Sequence, residues 1–308
     1  ISMYQYGVNS NSFYRRRSRP FTIGIAGDSG AGKSRLLVML GELLSEDHIL
    51  NIEGDGDHRW ERGDANWKEM THLNPQANYL YRQAEDLRVL RGNNAVKRAD
   101  YDHNTGTFTA KRKLSPRPYI VMCGLHSLYL PQMRQVLDMK IYLDTDEALR
   151  CYWKLDRGHG KEEVMAQIEK RRADAEKYIY PQKQYADLVI RYFDAGLAKD
   201  GSRIKADDEA VLGVEFLMDV RINAEPILEL LQERGVRGRL SYDDLQHQSI
   251  VFAGEDLNVD RRVWEEVAHA AIVQIEDLAG SHIVWEDGVN GAVQLMLMAV
   301  IGEIMQWT

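Results

Sequence analysis

The chain has 308 residues, 44% hydrophobic and 28% charged, which excludes disordered, collagen-like and disulfide-scaffold classes. Its 47 acidic and 39 basic residues leave a net charge of −8, so no broad basic footprint for nucleic acid exists. A phosphate ligand therefore needs locally grouped cations.

In chain order, the first twenty residues are polar and aromatic, with Arg15, Arg16, Arg17 and Arg19 before Pro20, and read as a solvated arm. Phe21–Gly27 is a β-rich run ending in glycine. Lys33–Leu44 follows, with Leu36, Leu37, Leu40, Leu43 and Leu44 at helical spacing. Ile49–Ile52 is a second short strand. Asn74 and Pro75 predict an N-cap and first-turn proline, with Ala77, Leu80, Ala84 and Leu87 on one helical face and Gly92 as the stop. Tyr119–Met122, Lys140–Leu143 and Leu188–Ile190 are further buried strands, and a charged helical stretch fills about 146–177. Strands alternating with helices predict an α/β fold with a mostly parallel sheet covered on both faces.

Lys199–Asp208 reads as a connection. Beyond it lie strand-like runs at Phe216–Ile222 and Ser249–Ala253 and helices at about 224–234, 261–279 and 291–306. Ser241 before Tyr242, Asp243 and Asp244 predicts a helix start. The organisation is an arm (1–20), an α/β core (21–198) and a smaller mixed C-terminal extension (199–308), either a small domain or more of the same sheet. The apolar run Ala292–Trp307 reads as a buried helix rather than a membrane span. No signal peptide is visible, and a start at Ile1 rather than methionine leaves room for a longer parent sequence. Cys123 and Cys151 fit no zinc or CxxC spacing, and read as reduced intracellular thiols, so a cytoplasmic location is expected. No membrane or nucleic-acid partner is expected.

Gly27-Asp28-Ser29-Gly30-Ala31-Gly32-Lys33-Ser34 is a complete GxxxxGK[ST] loop between a predicted strand and a predicted helix. Its glycines let backbone N–H groups converge on phosphate oxygens, and the helix dipole adds to them. Lys33 is expected at the β/γ-phosphates and Ser34 on Mg²⁺. The second strand runs into Glu53-Gly54-Asp55-Gly56-Asp57-His58-Arg59-Trp60-Glu61-Arg62, at the strand end where ligands of open α/β sheets bind. A carboxylate there can accept an acceptor hydroxyl's proton, and His58 and Arg62 can grip an anionic acceptor.

This last stretch resembles the acceptor site of the phosphoribulokinase/uridine kinase family. Thr71–Asn78 is similar to the family's THLDPxAN, Tyr101–Gly106 to its YxHxTG, Gly124–His126 to its GLH, and Tyr178–Asp187 to YIDPQKQYAD. The resemblance spans about 21–193, with a weak echo at Gly288–Gly302. It implies a P-loop kinase that uses Mg·ATP to phosphorylate a hydroxyl of ribulose 5-phosphate or a related pentose or polyol phosphate. It further implies Asp55 as catalytic base, His58 and Arg62 on the sugar phosphate, and Tyr101 and His103 in the same pocket. Lys154 corresponds to the lysine supporting the transferring phosphoryl group, with Arg157 in the lid on the nucleotide and Arg191 on the late strand as a substrate-binding residue. Family members are commonly oligomeric, so the resemblance also implies a homodimer. Two rival readings stand beside this one: a uridine-kinase-like nucleoside kinase, and a nucleotide-binding regulatory protein with little turnover.

The chain departs from the pattern three times. Cys123 replaces the glutamate before Gly124, and a thiol is a poor ligand for a hard cation. The lid after Lys154 is several residues short; Arg171 or Arg172 could substitute, although both read as the exposed face of a charged helix. Ala31 and Glu53 occupy the positions of the two regulatory cysteines of redox-switched members, so that thiol switch is excluded.

Overall fold

The computed structural model describes residues 18–156, 160–196, 211–273, 275–279 and 282–307. In chain order the elements are β1 (Phe21–Gly27), α1 (Lys33–Leu44), β2 (Ile49–Glu53), α2 (Leu80–Arg91), β3 (Val96–Arg98), β4 (Tyr101–Asp102), β5 (Thr107–Phe108), β6 (Arg112–Leu114), β7 (Tyr119–Gly124), α3 (Pro131–Val136), β8 (Met139–Leu143), α4 (Glu147–Asp156), α5 (Lys161–Asp174) and β9 (Leu188–Asp194). They continue as β10 (Leu212–Asp219), α6 (Glu225–Glu233), β11 (Arg239–Tyr242), β12 (His247–Ala253), α7 (Arg261–Ala271), α8 (Ile275–Ala279) and α9 (Gly288–Trp307).

Eight strands form one sheet in the order β11-β12-β10-β9-β8-β1-β7-β2. The five strands from β9 to β2 are parallel, and β10, β12 and β11 add antiparallel neighbours. The strands after residue 211 thus prolong the same sheet. All seven residues of β1 and all six of β7 are buried, which is why they read as unbroken apolar runs. Side chains alternate between two cores. Ile23, Ile25, Tyr119 and Val121 pack with Leu36, Met39, Leu40 and Leu43 of α1; Ile52, Ile120 and Met122 pack with Leu80, Ala84 and Leu87 of α2 and Met133 of α3. The β1-to-β2 connection runs toward one edge and the β7-to-β8 connection crosses β1 toward the other. The crevice of an open sheet opens at that reversal, above the end of β1.

Several expectations are corrected. Asn74 caps only a single 3₁₀ turn, Pro75–Ala77, by accepting from the Gln76 N–H. The chain is then extended at Asn78, which bridges to His58, and α2 starts at Leu80. The 146–177 stretch divides into α4 and α5, and 261–279 into α7 and α8. Ser241 lies in β11 and starts no helix: local capping chemistry loses there to pairing with β12. Arg19 is not free in a solvated arm. It forms a two-point ion pair with buried Asp138, at 2.8 and 2.9 Å. Residues 15–17 and 199–208 lie outside the described residues.

Helix α9 is long and apolar enough to cross a membrane by length and composition, but 72% of its most apolar window is buried within the fold. Its one polar core residue, Gln294, is satisfied by the Glu286 N–H, the Val284 carbonyl and Glu42 Oε2, at 2.8–3.0 Å. Gly291 lets α9 approach Trp264 of α7: a Cβ there would lie 2.1 Å from Trp264 Cδ1 and 2.3 Å from the Glu286 carbonyl oxygen. Gly291→Ala is therefore expected to cost about 2 kcal/mol through overpacking. Urea denaturation checks this, and a change below about 0.5 kcal/mol would refute the close approach.

Candidate active site

The phosphate loop joins β1 to α1. Gly30 and Gly32 adopt φ of 79° and 102°, which let the chain turn back over the helix start. Lys33 Nζ donates to the carbonyls of Gly27 and Asp28 at 2.7 and 2.8 Å, and Thr145 Oγ1 fixes the loop by donating to the Ala31 carbonyl at 2.8 Å. Burial lowers the Lys33 pKa, opposed by the nearby Asp28 and Asp55 carboxylates. Ser34 is exposed at the start of α1.

Asp55 lies in the turn after β2. Gly56 is required there, because a Cβ would meet the Ala99 carbonyl oxygen at 2.6 Å. The two acids of this turn divide their work. Asp57 is buried and held by Arg98 (2.6 Å), Arg82 (3.1 Å) and Gln83 (3.2 Å), which locks the turn in place. Asp55 instead faces the crevice, 3.4 Å from His58 Nε2 and 3.2 Å from His103 Nε2. Burial alone would raise its pKa, but His103, His58 and Lys33 together hold its carboxyl well below the usual carboxylate range. Asp55 is thus an anion at neutral pH. Asn78 Nδ2 donates to two carbonyls, so its Oδ1 accepts from His58 Nδ1–H at 2.6 Å and the His58 Nε2 edge is aimed at Asp55. The hydrogen bond to Asp55 raises the His103 pKa.

A cavity of about 450 Å³ is lined by Ser29, Lys33, Asp55, His58, Arg62, Tyr101 and His103, seven residues singled out from sequence. Arg62 is held from behind, donating to the carbonyls of His103 and Asn104. Lys154 lies over Gly30, its Cε 3.0 Å from where a Cβ would stand. Burial and Arg171 lower its pKa. Arg157 falls outside the described residues. Arg191 is a correction: it does not join the acceptor cavity but pairs with Asp146 (2.9 Å) and Glu215 (3.4 Å) and lines a separate cavity beside Asp28 and Arg150. The reason is topological. Four inter-strand steps, about 19 Å in all, separate β9 from the β2 end that carries Asp55.

Trp67, His72 and Leu125 were given no site role from sequence, and Arg171, offered there with Arg172 as a substitute for a lid arginine, read as an exposed helix face; all four line the Asp55 cavity. Arg171 was the legible one. Val164, Ile168 and Ala175 are the buried stripe of α5 and the turn after it, and position 171 falls on that stripe. Arg150, also missed, pairs with Asp28 of the phosphate loop.

His126 has a structural role. It is 5% exposed, its Nε2–H donates to the Leu73 carbonyl at 2.8 Å, and burial pushes its pKa down to about 4. Because the folded-state pKa lies below the ordinary 6.5, the unfolded chain takes up the proton first. The contribution is complete above about pH 6.5 and is lost as pH falls toward 4. Acidification from pH 7 to 5 is expected to cost about 1–2 kcal/mol through this group. Urea unfolding of His126→Gln at both pH values should show a shallower loss, and an unchanged loss would rule the group out.

A family model described as the phosphoribulokinase / uridine kinase family matches residues 22–196. Phosphoribulokinase from Synechocystis is 36% identical over 187 residues, covering 59% of this chain and 56% of that sequence. Uridine kinase from Borrelia duttonii is 31% identical over 179 residues, covering 54% of this chain and 84% of its own. The chain thus spans about half the length of the curated phosphoribulokinases it matches. Among solved structures, phosphoribulokinase from Rhodobacter spheroides superposes with a TM-score of 0.61 at 18% identity, over 94% of this chain and 99% of that one, which shows a shared fold. With the phosphate loop, the crevice and the carboxylate turn inside the matched region, the chain belongs to the phosphoribulokinase/uridine kinase family.

Proposed function

We propose that the protein transfers the terminal phosphoryl group of ATP to a hydroxyl of a phosphorylated sugar or polyol. The observation that carries this is the meeting of an ionised Asp55 with Lys33, Arg62 and Arg171 in one cavity. Phosphoryl transfer needs positioned charge more than covalent participation by the protein. Asp55 accepts the acceptor hydroxyl's proton and aims its oxygen at the phosphate loop. Lys33 and the loop N–H groups hold the phosphates, with Lys154 and Arg171 beside them. Arg62 binds the acceptor's own phosphate. A neutral nucleoside would leave the Arg62 charge without an anionic partner, which favours the sugar-phosphate reading over the nucleoside one.

The donor chemistry fits Mg²⁺ with few protein ligands. Ser34 and Asp55 offer hard oxygens, whereas burial pushes the Cys123 thiol up to about 12 and keeps it neutral. No cluster of three or more His, Cys, Asp or Glu able to cage a metal exists among the described residues. Mg²⁺ keeps several waters and is commonly held by one or two carboxylates together with phosphates, which matches this set. When bound, it neutralises charge on the transferring phosphates.

A panel of pentose, hexose and polyol phosphates beside uridine, read by ADP release, tests the proposal. Transfer to uridine alone would replace it with nucleoside phosphorylation. ATP binding with transfer to no acceptor would replace it with a regulatory role.

A further inference from the structure

His72 lines the acceptor cavity between two tied neighbours. Thr71 Oγ1 donates to Asp174 Oδ2 of α5 at 2.7 Å, and the Leu73 N–H donates to the same Oγ1 at 3.1 Å. A hydroxyl has one proton to give and a carboxylate only accepts, so the direction of the bond to Asp174 is fixed. Leu73 is fully buried against Ala175 and Ile179, and its carbonyl accepts from His126. Those two residues bound a single π turn, Ala175–Ile179, a rare geometry found most often at functional sites. Hydrogen bonds also lead from this tie to Asp55. Asn78 Nδ2 donates to the His72 carbonyl at 3.0 Å, Asn78 Oδ1 accepts from His58 Nδ1–H at 2.6 Å, and His58 Nε2 lies 3.4 Å from Asp55. On the other side, Asp174 follows Arg171 by three residues, less than one turn along α5. Arg171 has only its loose 3.9 Å ion pair with Asp28 among the described residues, so its place beside the phosphate loop is set mainly by how α5 is seated.

We propose that Thr71 and Asp174 are positioning residues for phosphoryl transfer: their hydrogen bond ties the loop that aims His58 at Asp55 to the helix that aims Arg171 at the phosphates. This rests on the functional reading above. Neither Thr71 nor Asp174 lines the cavity, so their effect passes through the side chains they hold. The bond joins segments 103 residues apart in sequence. In-line transfer needs the attacking oxygen and the cations around the phosphoryl group in register, and a misplacement of about 1 Å can cost about 100-fold in rate. With the bond in place, the acceptor loop and Arg171 keep one spacing. Without it, the packing of Leu73 on Ala175 and Ile179 still holds the segments together, but apolar burial is non-directional and permits sliding.

With the full chain and its best sugar-phosphate acceptor, Thr71→Val keeps the side-chain shape and removes the hydroxyl. It is expected to lower kcat about 10-fold, with the KM values for acceptor and ATP within about threefold. Thr71→Ser should recover most of the loss, and Asp174→Ala should reproduce it. The decisive measurement is a double-mutant cycle with Arg171→Ala. In that background Thr71→Val should lower kcat less than about twofold, because the cation whose seat depends on the bond is gone. If Thr71→Val does not fold, Asp174→Ala takes its place in the cycle. A 10-fold loss that persists in the Arg171→Ala background overturns the coupling. So does a kcat unchanged by both Thr71→Val and Asp174→Ala, or a loss carried by the acceptor KM alone. These outcomes leave the kinase reading intact, whereas transfer to no acceptor by the parent chain overturns both.

Discussion

Asp55→Asn is expected to lower kcat by about three orders of magnitude while the KM for ATP stays within about threefold. The substitution keeps the shape of the side chain and removes its basicity. His103, His58 and Lys33 surround the carboxylate, and their net effect is to keep it ionised far below neutral pH. So strong a depression makes Asp55 a weak base toward a free proton. Its value is in position and charge: it orients the hydroxyl and takes up its proton as the bond to phosphorus forms. The turn itself should survive, because Asp57, Arg98 and Arg82 hold it without help from Asp55. Asp57→Asn supplies the contrast, since it acts on the anchor. It should lower thermal stability, whereas Asp55→Asn should leave the melting temperature nearly unchanged or raise it. Steady-state kinetics and melting curves on both variants separate the roles. Equal loss of activity with equal loss of stability would show that Asp55 is only a structural residue.

The phosphate loop was fully legible because its chemistry is local: glycines, a lysine and a serine at fixed spacing between a strand and a helix. The five parallel strands were legible because double-sided burial writes each as an apolar run. What failed depended on pairing between distant segments. Asn74 and Pro75 carry a good helix-start signal, yet the bridge between His58 and Asn78 delays the helix to Leu80. Ser241 carries a cap signal, yet β12 recruits it as a strand neighbour. Arg191 was drawn to the acceptor pocket by resemblance, and only the strand order shows the distance between them. The stack of Trp67 on His72 beside the cavity, with ring centroids 3.7 Å apart, had no local signature at all. Trp67 and His72 are five residues apart across a short capped turn, and their stacking depends on the path of the whole 59–78 loop.

Arg171→Ala is expected to lower kcat about 100-fold, with Arg172→Ala, its neighbour, within about threefold of the parent. The two are adjacent in sequence and opposite in setting. Arg172 is half exposed and spends its charge on Glu169 and Glu147 at 3.1 and 3.2 Å. Arg171 turns inward on the buried stripe of α5, where it lines both the acceptor cavity and the smaller cavity containing Lys154. Its only ion pair among the described residues is with Asp28 at a loose 3.9 Å, and its Nε is buried without a hydrogen-bond partner. A cation so placed, between the phosphate loop and Asp55, has charge to give to oxygens that become more negative during transfer. That benefit is larger in the transition state than in the ground state, so kcat should fall more than KM rises. Arg171→Lys should recover part of the loss, because charge is retained while the planar fork is not. If Arg171→Ala and Arg172→Ala lower kcat equally, the inward placement has no catalytic consequence, and the shortened lid must be compensated by another residue.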